Sequence, residues 1–279
     1  MANDFNQKII EEFRANDGRV GGPFEGARLL LLTTTGARSG ARHTTPLGYL
    51  PDSDGRVLVI ASAAGAPRHP AWYHNLVANP RVHIETGVFV YDADAVVLTG
   101  EERDQAFARA VETDDGWAEY QSRTTRTIPV VSLRPVAHDG PPTLSGPQSF
   151  GDALTRIHDV LRRELALIRQ EVAASGTSLG AQLRINCLSL CQGLHNHHEG
   201  ESQGMFPMIA RQFPETADVM ARLADEHRKV AELIDELQRV VTADRPDPKA
   251  ALAEVDRLSA ELEAHLLYEE EQLIPLFDR

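Results

Sequence analysis

The sequence predicts a multidomain chain: an α+β domain built on a small antiparallel barrel over residues 1–137, a linker over 138–150, and an all-α, up-down four-helix bundle over 151–279. Three observations lead there. Short apolar, β-branched runs separated by Gly and Pro turns fill the first half. The stretch PVAHDGPPTLSGPQSF, residues 135–150, is dense in proline and glycine, as linkers are. Everything after it has helical periodicity and carries two copies of His-x-x-x-Glu.

In the first half, residues 5–15 read as an amphipathic helix with Phe5, Ile9, Ile10 and Phe13 on one side. Gly18, Gly21, Gly22 and Pro23 end it. ARLLLLTTTG from Ala27 reads as a buried strand, HTTPLGYL as a second, and RVLVIASA after the Gly55 turn as a third. AWYHNLVAN, residues 71–79, is a short helix closed by Asn79-Pro80. Two strands flank Gly87, an acid-started helix covers 101–113, and RTIPVVSLR at 126–134 is the last strand. Five or six short strands, mostly in hairpins, with two or three helices form a barrel in an α+β domain.

In the second half the helices are expected at about 151–174, 178–211, 215–243 and 247–273, with Pro248 in the first turn of the last. Short loops make neighbours antiparallel. The chemistry is concentrated in HNHHEGESQGMFP and AHLLYEEEQLIPLF. His197-x-x-x-Glu201 and His265-x-x-x-Glu269 each place an imidazole and a carboxylate one turn apart on one helix face. Each is followed by an apolar pair and a proline. His158 and His227 each stand alone in the other two helices. One such pair is usually a surface ion pair. Two with the same downstream tail, and one His on each remaining helix, describe four helices pointing four His and two Glu at a dinuclear iron site. Mixed imidazole and carboxylate ligands also suit manganese or zinc. Leu190 and Leu194 stack beneath His197 and Glu201, so the metal face is also the core face.

Composition bounds the function. The net charge of −13 argues against nucleic-acid binding. No apolar run approaches the roughly 20 residues needed to span a bilayer. The start, MANDFNQKIIEEF, lacks the basic region and apolar core of a secretory signal. Cys187 and Cys191, four apart on a helix, read as buried thiols, with a redox pair as the alternative. A cytoplasmic protein is expected.

The second half resembles the hemerythrin-like, cation-binding family. Its pattern, matched motif by motif, implies His158, His197, Glu201, His227, His265 and Glu269 as the ligands of two iron ions, with the carboxylates bridging. Oxygen-carrying hemerythrins have a second His four residues after the helix C His; Ala231 stands there in this chain. The resemblance therefore implies an open metal position, or a substitute ligand such as Glu199 or Glu270. It implies reaction with oxygen, peroxide or nitric oxide rather than simple reversible oxygen carriage.

The first half, through TTTGARSGARHTTPLGYL, ASAAGAPRHPAWYHNLVANPRV and EYQSRTTRTIPVVSL, resembles the deazaflavin-dependent nitroreductase family from Asn6 to Val136. These are split-barrel, flavin-reductase-like proteins that bind coenzyme F-420. The coenzyme is anionic. Arg38, Ser39 and Gly40 form a tight turn whose N–H groups and guanidinium can hold phosphate, and Arg42 extends that rim. Thr45, Pro46 and Leu47, with Ser62, Ala64 and Gly65, are compact enough for close backbone approach to a flat ring. Trp72 and Asn75 can cover the ring and its tail. Tyr120 and Tyr49 match family tyrosines that orient an acceptor or donate a proton; the bland reading makes them core residues.

The implied function is hydride transfer from reduced F-420 to a quinone, enone or nitro acceptor, on one chain with an oxygen-, peroxide- or nitric-oxide-reactive di-iron site. FMN is the alternative cofactor, since similar split barrels bind it. The rival function is a non-enzymatic oxygen, iron or redox sensor. Split barrels of this sort often pair as homodimers.

Overall fold

The computed structural model describes residues 2–136, 143–144, 146 and 149–277. It divides into two compact units, Met1–Gly146 and Pro147–Arg279. Of the stretch expected to be a linker, residues 138–142, 145, 147 and 148 lie outside the described residues. Among the described residues no helix is long and apolar enough to cross a membrane.

The first unit contains α1 (Ala2–Ala15), β1 (Leu29–Thr35), β2 (Arg42–Pro51), β3 (Val57–Ile60), α2 (Ala71–Ala78), β4 (Arg81–Thr86), β5 (Phe89–Val97), α3 (Gly100–Thr113), α4 (Gly116–Ser122), β6 (Val130–Pro135) and β7 (Thr143–Leu144). Every ladder is antiparallel, in the order β4-β1-β2-β3-β6-β5-β7, and β4 also pairs with β5. That extra pairing closes six strands into a barrel and removes the free edges an open sheet would present. The helix α4 and the short strand β7 are absent from the sequence expectation, which placed Thr143–Leu144 in the linker.

The continuous apolar run Leu29–Leu32 follows from the two covers on β1. Leu30 and Leu32 point into the barrel with Val59, Ile84, Val131 and Leu133. Leu29 and Leu31 point outward beneath Ile9, Ile10 and Phe13 of α1. The same period of two divides β3: Val59 faces in, while Leu58 and Ile60 face Phe107 and Ala110 of α3. A one-residue slip would exchange these faces, so burial fixes the register.

The second unit is a bundle of α5 (Phe150–Ala174), α6 (Ala181–Gly200), α7 (Phe206–Gln212), α8 (Ala217–Thr242) and α9 (Pro248–Phe277). A π-helical turn, Glu201–Met205, joins α6 to α7, so the helix expected at 178–211 is one element with a changed pitch. Ser149 Oγ caps α5 by accepting from the Asp152 N–H at 3.1 Å. Gly151 lets α5 approach α9: a Cβ there would stand 2.8 Å from Ile274 Cγ2. Two apolar clusters fill the bundle. Leu165, Leu194, Val230 and Leu262 belong to one, and Leu154, Phe206, Leu223 and Leu273 to the other. On each helix the His and Glu residues of interest lie in sequence between its contributions to the two.

The barrel depends on one close backbone approach. Gly18 has φ +86°, and a Cβ on it would meet Gly87 Cα at 2.5 Å. Gly18→Ala is expected to cost about 2–4 kcal/mol. Both tryptophans of the chain, Trp72 and Trp117, lie in this unit, so tryptophan fluorescence during urea unfolding checks it: the barrel transition should move to lower denaturant.

Candidate functional site

The bundle brings the six expected residues together and adds a seventh. One group joins His158, His197, Glu201 and Glu269; another joins His198, His227 and His265; within each, the donor atoms all lie within 4.8 Å of one another. Glu201 links the two groups, with Oε1 at 3.4 Å from His197 Nε2 and Oε2 at 3.5 Å from His227 Nε2. Glu269 Oε2 lies 3.4 Å from His158 Nε2 and 3.7 Å from His265 Nε2. Both carboxylates thus stand between two imidazole sets, as bridging ligands must.

The donor atoms have no protein partner. Nε2 of all five His, Oε2 of Glu201 and both Glu269 oxygens are buried without a hydrogen bond. Such orphaned groups are rare in folded proteins and point to an absent ligand. The surface-pair reading fails, because His158 and Glu269 are wholly buried. This donor set fits a metal.

Three of the imidazoles are oriented from behind. His158 Nδ1 pairs with Glu270 Oε1 at 2.7 Å, and Arg162 Nη1 donates to that same oxygen at 2.9 Å. His265 Nδ1 pairs with Glu226 Oε2 at 3.1 Å; Arg222 Nε holds Glu226 at 2.8 Å while its guanidinium lies over the Tyr268 ring. His227 Nδ1 meets Ser202 Oγ at 2.8 Å. A proton engaged at Nδ1 leaves the Nε2 lone pair facing the cluster, the tautomer a metal requires.

Electrostatics agree. Burial, then neighbouring imidazoles, lowers His197 to about 3 and His227 to about 3; His198 is lowered for the same reasons. Burial, then the facing Glu269, raises Glu201 to about 10. Burial pushes the Glu270 carboxyl up, but hydrogen bonds from Arg162 and His158 outweigh it and hold its pKa below the ordinary value.

His198 is the residue sequence reasoning missed. Glu201 is four residues after His197 and three after His198, and both spacings put side chains on one helix face. The adjacent pair of His was the available signal. His198 brings its Nε2 to the group of His227 and His265, on the side where Ala231 offers no ligand. The two substitutes named from sequence do not join the cluster. Glu199 is exposed and pairs with His195 and Gln203. Glu270 stands behind His158. The π turn then seats Phe206 against the His227 ring, 5.0 Å between centroids. Both cysteines are buried and outside any disulfide, and burial raises Cys191 to about 12, which suits inert thiols rather than a redox pair.

In the barrel, a cleft of about 630 Å³ gathers Arg38, Ser39, Thr45, Trp72 and Asn75 of the expected cofactor residues. Asn6, His43 and His74 also line it and were not foreseen. His43 was legible in principle, since it shares a strand face with Thr45. The turn at its edge is built from within. Gly36 N–H donates to Ala41 O, Gly40 N–H to Gly36 O, Ala41 N–H to Ser39 Oγ and Ala37 N–H to Asn75 Oδ1. Those four backbone donors are therefore already used, Gly40's among them, and the Arg38 guanidinium supplies the positive charge at the turn. Asn75 also donates to Thr34 Oγ1 at 3.1 Å, which ties α2 to the end of β1.

Other expected residues lie outside that cleft's lining. Gly40, Arg42, Pro46 and Leu47 belong to the turn and β2. Tyr49 packs in the barrel interior with Trp72, whereas Tyr120 packs on Trp117 in the α3–α4 cluster. Ser62, Ala64 and Gly65 form a turn gripped by Arg126, which donates to the carbonyls of Ala61, Ser62 and Ala66. Gly65 has φ +79°, and a Cβ on it would stand 2.8 Å from Tyr120 O, so the approach of α4 accounts for the glycine.

Comparison with known proteins finds a match for each half of the chain. The family model for F-420H(2)-dependent quinone reductase matches residues 6–135, and that for the hemerythrin HHE cation binding domain matches residues 150–277. An F-420H(2)-dependent quinone reductase of Mycobacterium tuberculosis is 41% identical over 125 residues, 43% of this chain and 83% of the relative. A solved F-420-H2 dependent reductase is 42% identical over 38% of this chain and 94% of its own, with a TM-score of 0.36. The chain belongs to the F-420H(2)-dependent quinone reductase family, and its second half is a hemerythrin HHE cation-binding domain.

Proposed function

We propose that the barrel is a quinone reductase that uses reduced F-420, and that the bundle carries two iron ions at which oxygen, peroxide or nitric oxide reacts. The barrel reading is supported by the identity to a quinone reductase over most of that relative's length. The bundle reading is carried by one observation, the buried donor atoms of five His and two Glu that have no protein partner.

In the cleft, Arg38 binds the anionic end of the coenzyme through charge-assisted hydrogen bonds. Trp72 offers an apolar wall for the ring, and Asn75 keeps the turn in place. Reduced F-420, when bound, supplies the hydride. The chain's part is to position the acceptor and deliver a proton. His43 and His74 line the cleft and can donate one; Tyr49, in the same packed cluster as Trp72, is better placed than Tyr120 to help.

In the bundle, His158 and His197 would hold one ion and His198, His227 and His265 the other, with Glu201 and Glu269 shared between them. Iron there supplies one-electron chemistry and an affinity for small oxygen- and nitrogen-donor molecules. The protein's task is to turn the imidazole Nε2 atoms and the two shared carboxylates toward the ions. Glu270, Glu226 and Ser202 fix three of the rings for that purpose.

Arg38→Ala is expected to weaken binding of reduced F-420 at least tenfold, about 1.4 kcal/mol, with iron content unchanged. Fluorescence titration of the coenzyme against wild type and variant checks it; equal affinity would remove Arg38 from the site.

Metal-free stability should depend on pH in a defined way. Glu201 titrates near 10 in the fold against an ordinary 4.5, so its stabilising contribution is lost as pH rises through that interval. His197 and His227 titrate near 3 against 6.5, so theirs is lost as pH falls below 6.5. Two histidine contributions outweigh the one from Glu201 below pH 6.5, so the metal-free bundle is expected to melt highest near pH 6.5. Iron at a thousandfold excess over its Kd should add about 4 kcal/mol. Glu201→Gln should melt above wild type when both are metal-free at pH 8, and lose most of the gain from iron. Thermal melts by circular dichroism with and without iron give both answers.

A further inference from the structure

Between β3 and α2 the barrel holds a backbone conformation that its residues do not favour. Ala63, Ala64 and Gly65 have φ of +47°, +52° and +79°. Two successive alanines in the left-handed region store strain, and surrounding bonds must hold them there. Arg126, from the segment before β6, supplies those bonds. Its Nε donates to Ala66 O at 2.9 Å, Nη1 to Ala61 O at 3.1 Å and Nη2 to Ser62 O at 2.5 Å. Nη1 also meets His69 Nδ1 at 3.0 Å. A guanidinium has no acceptor, so it donates, Nδ1 accepts, and the ring's proton lies on Nε2. Burial, then Arg126, then His74 lower the His69 pKa, which keeps that lone pair available. Gln121 fixes Arg126 from behind: its Nε2 donates to Arg126 O at 2.8 Å, and its Oε1 accepts from the Ile128 N–H at 3.0 Å.

We propose that Arg126 and His69 are positioning residues for the coenzyme: together they fix the start of α2, the helix that brings Trp72, His74 and Asn75 to the barrel cleft. The proposal rests on the reading of that cleft as the F-420 site. Helix α2 has no side-chain cap at Pro70, so the residue just before it anchors its entry. The His69 ring continues the contact into the helix, 4.7 Å between centroids to Tyr73 and 5.8 Å to His74. The far end of α2 is held to β1 and the turn after it. Asn75 bonds Thr34 and Ala37, and Asn79 Nδ2 donates to Thr35 O at 3.2 Å. Without the bond to His69 the near end loses its anchor, and the wall formed by Trp72 and His74 can tilt away from the ring. Arg126 and His69 lie outside the cleft's lining. They act through α2, so their effect falls on how tightly the coenzyme is held.

Steady-state oxidation of reduced F-420 by the full-length protein, with the quinone menadione as acceptor, tests this. His69→Leu cannot accept from Arg126. It should raise KM for the coenzyme about fivefold or more with kcat within about twofold of wild type, since saturating coenzyme draws the wall back. His69→Asn, whose amide oxygen can accept from Arg126, should keep KM within about twofold of wild type. Loss of folded protein alone would lower kcat at unchanged KM. A wild-type KM in His69→Leu, or His69→Asn as impaired as His69→Leu, would overturn the proposal, and so would a fall in kcat without a rise in KM. If His69→Leu does not fold, Arg126→Lys carries the test. It keeps the charge but not the planar fork, so KM should rise in the same way, and a wild-type KM would sink the idea. Arg38→Ala, run alongside, separates the two readings. A raised KM there with a wild-type KM in His69→Leu refutes the positioning role alone; a wild-type KM in both refutes the cleft as the coenzyme site.

Discussion

Five imidazoles and two carboxylates turned inward, with no protein partner for their donor atoms, are the constraint on which the bundle depends. Each orphaned polar atom costs roughly 1–3 kcal/mol when buried. Eight of them together rival the whole stability of an ordinary domain, about 5–15 kcal/mol. Apolar packing above and below the layer carries that cost in the absence of a cation. The cluster of Leu165, Leu194 and Leu262 lies to one side of the layer in sequence order and that of Leu154, Phe206 and Leu273 to the other. A metal turns the cost into binding energy, because it wants the carboxylates ionised and the imidazoles neutral. Burial has already made two of the imidazoles neutral: His197 and His227 are lowered to about 3. Glu201, raised to about 10, must give up a proton. Metal uptake is thus coupled to proton release at Glu201.

Much of this was legible in the sequence, for physical reasons. The strands β1 and β3 appear directly as the continuous apolar runs Leu29–Leu32 and Val57–Ile60, because both faces of those strands are covered. The His-x-x-x-Glu pairs were legible because an α-helix puts residues four apart on one face. His198 was not, because the rule that found His197 was applied at one spacing only, and because the π turn at Glu201–Met205 leaves no mark in the apolar pattern. The residues behind the ligands were illegible for another reason. Glu226 and Glu270 come from α8 and α9 and pair with His265 and His158, long-range contacts that no local pattern encodes.

In the barrel the blocks were legible but the roles of several residues were not. Gly65 looked like a residue making room for a flat ring; in the fold it makes room for the backbone of α4. The turn Arg38–Gly40 looked like a cradle of N–H groups; the Gly40 donor is engaged by Gly36 O, as are those of Gly36, Ala37 and Ala41 beside it by other acceptors. Sequence shows which residues are small or basic. It does not show whether a backbone donor is already engaged, and that decides whether a glycine-rich turn can bind an anion through its main chain or must rely on one side chain.

The imidazoles of the bundle are not equivalent. His158 is backed by Glu270 and His265 by Glu226, and a carboxylate at Nδ1 makes an imidazole a stronger donor at Nε2. His227 has only the Ser202 hydroxyl. Helix α8 contributes one ligand where a second was expected, and α6 compensates with two adjacent His. The substitution of Ala at 231 therefore does more than remove a ligand. It moves a donor from α8 to α6 and leaves space at the α8 surface beside the more weakly backed ring. A bundle with His at both positions of α8 would have that space filled by an imidazole. In this chain the donor count on that side is kept by one pair of positions: His198 on α6 supplies the imidazole that Ala231 on α8 lacks.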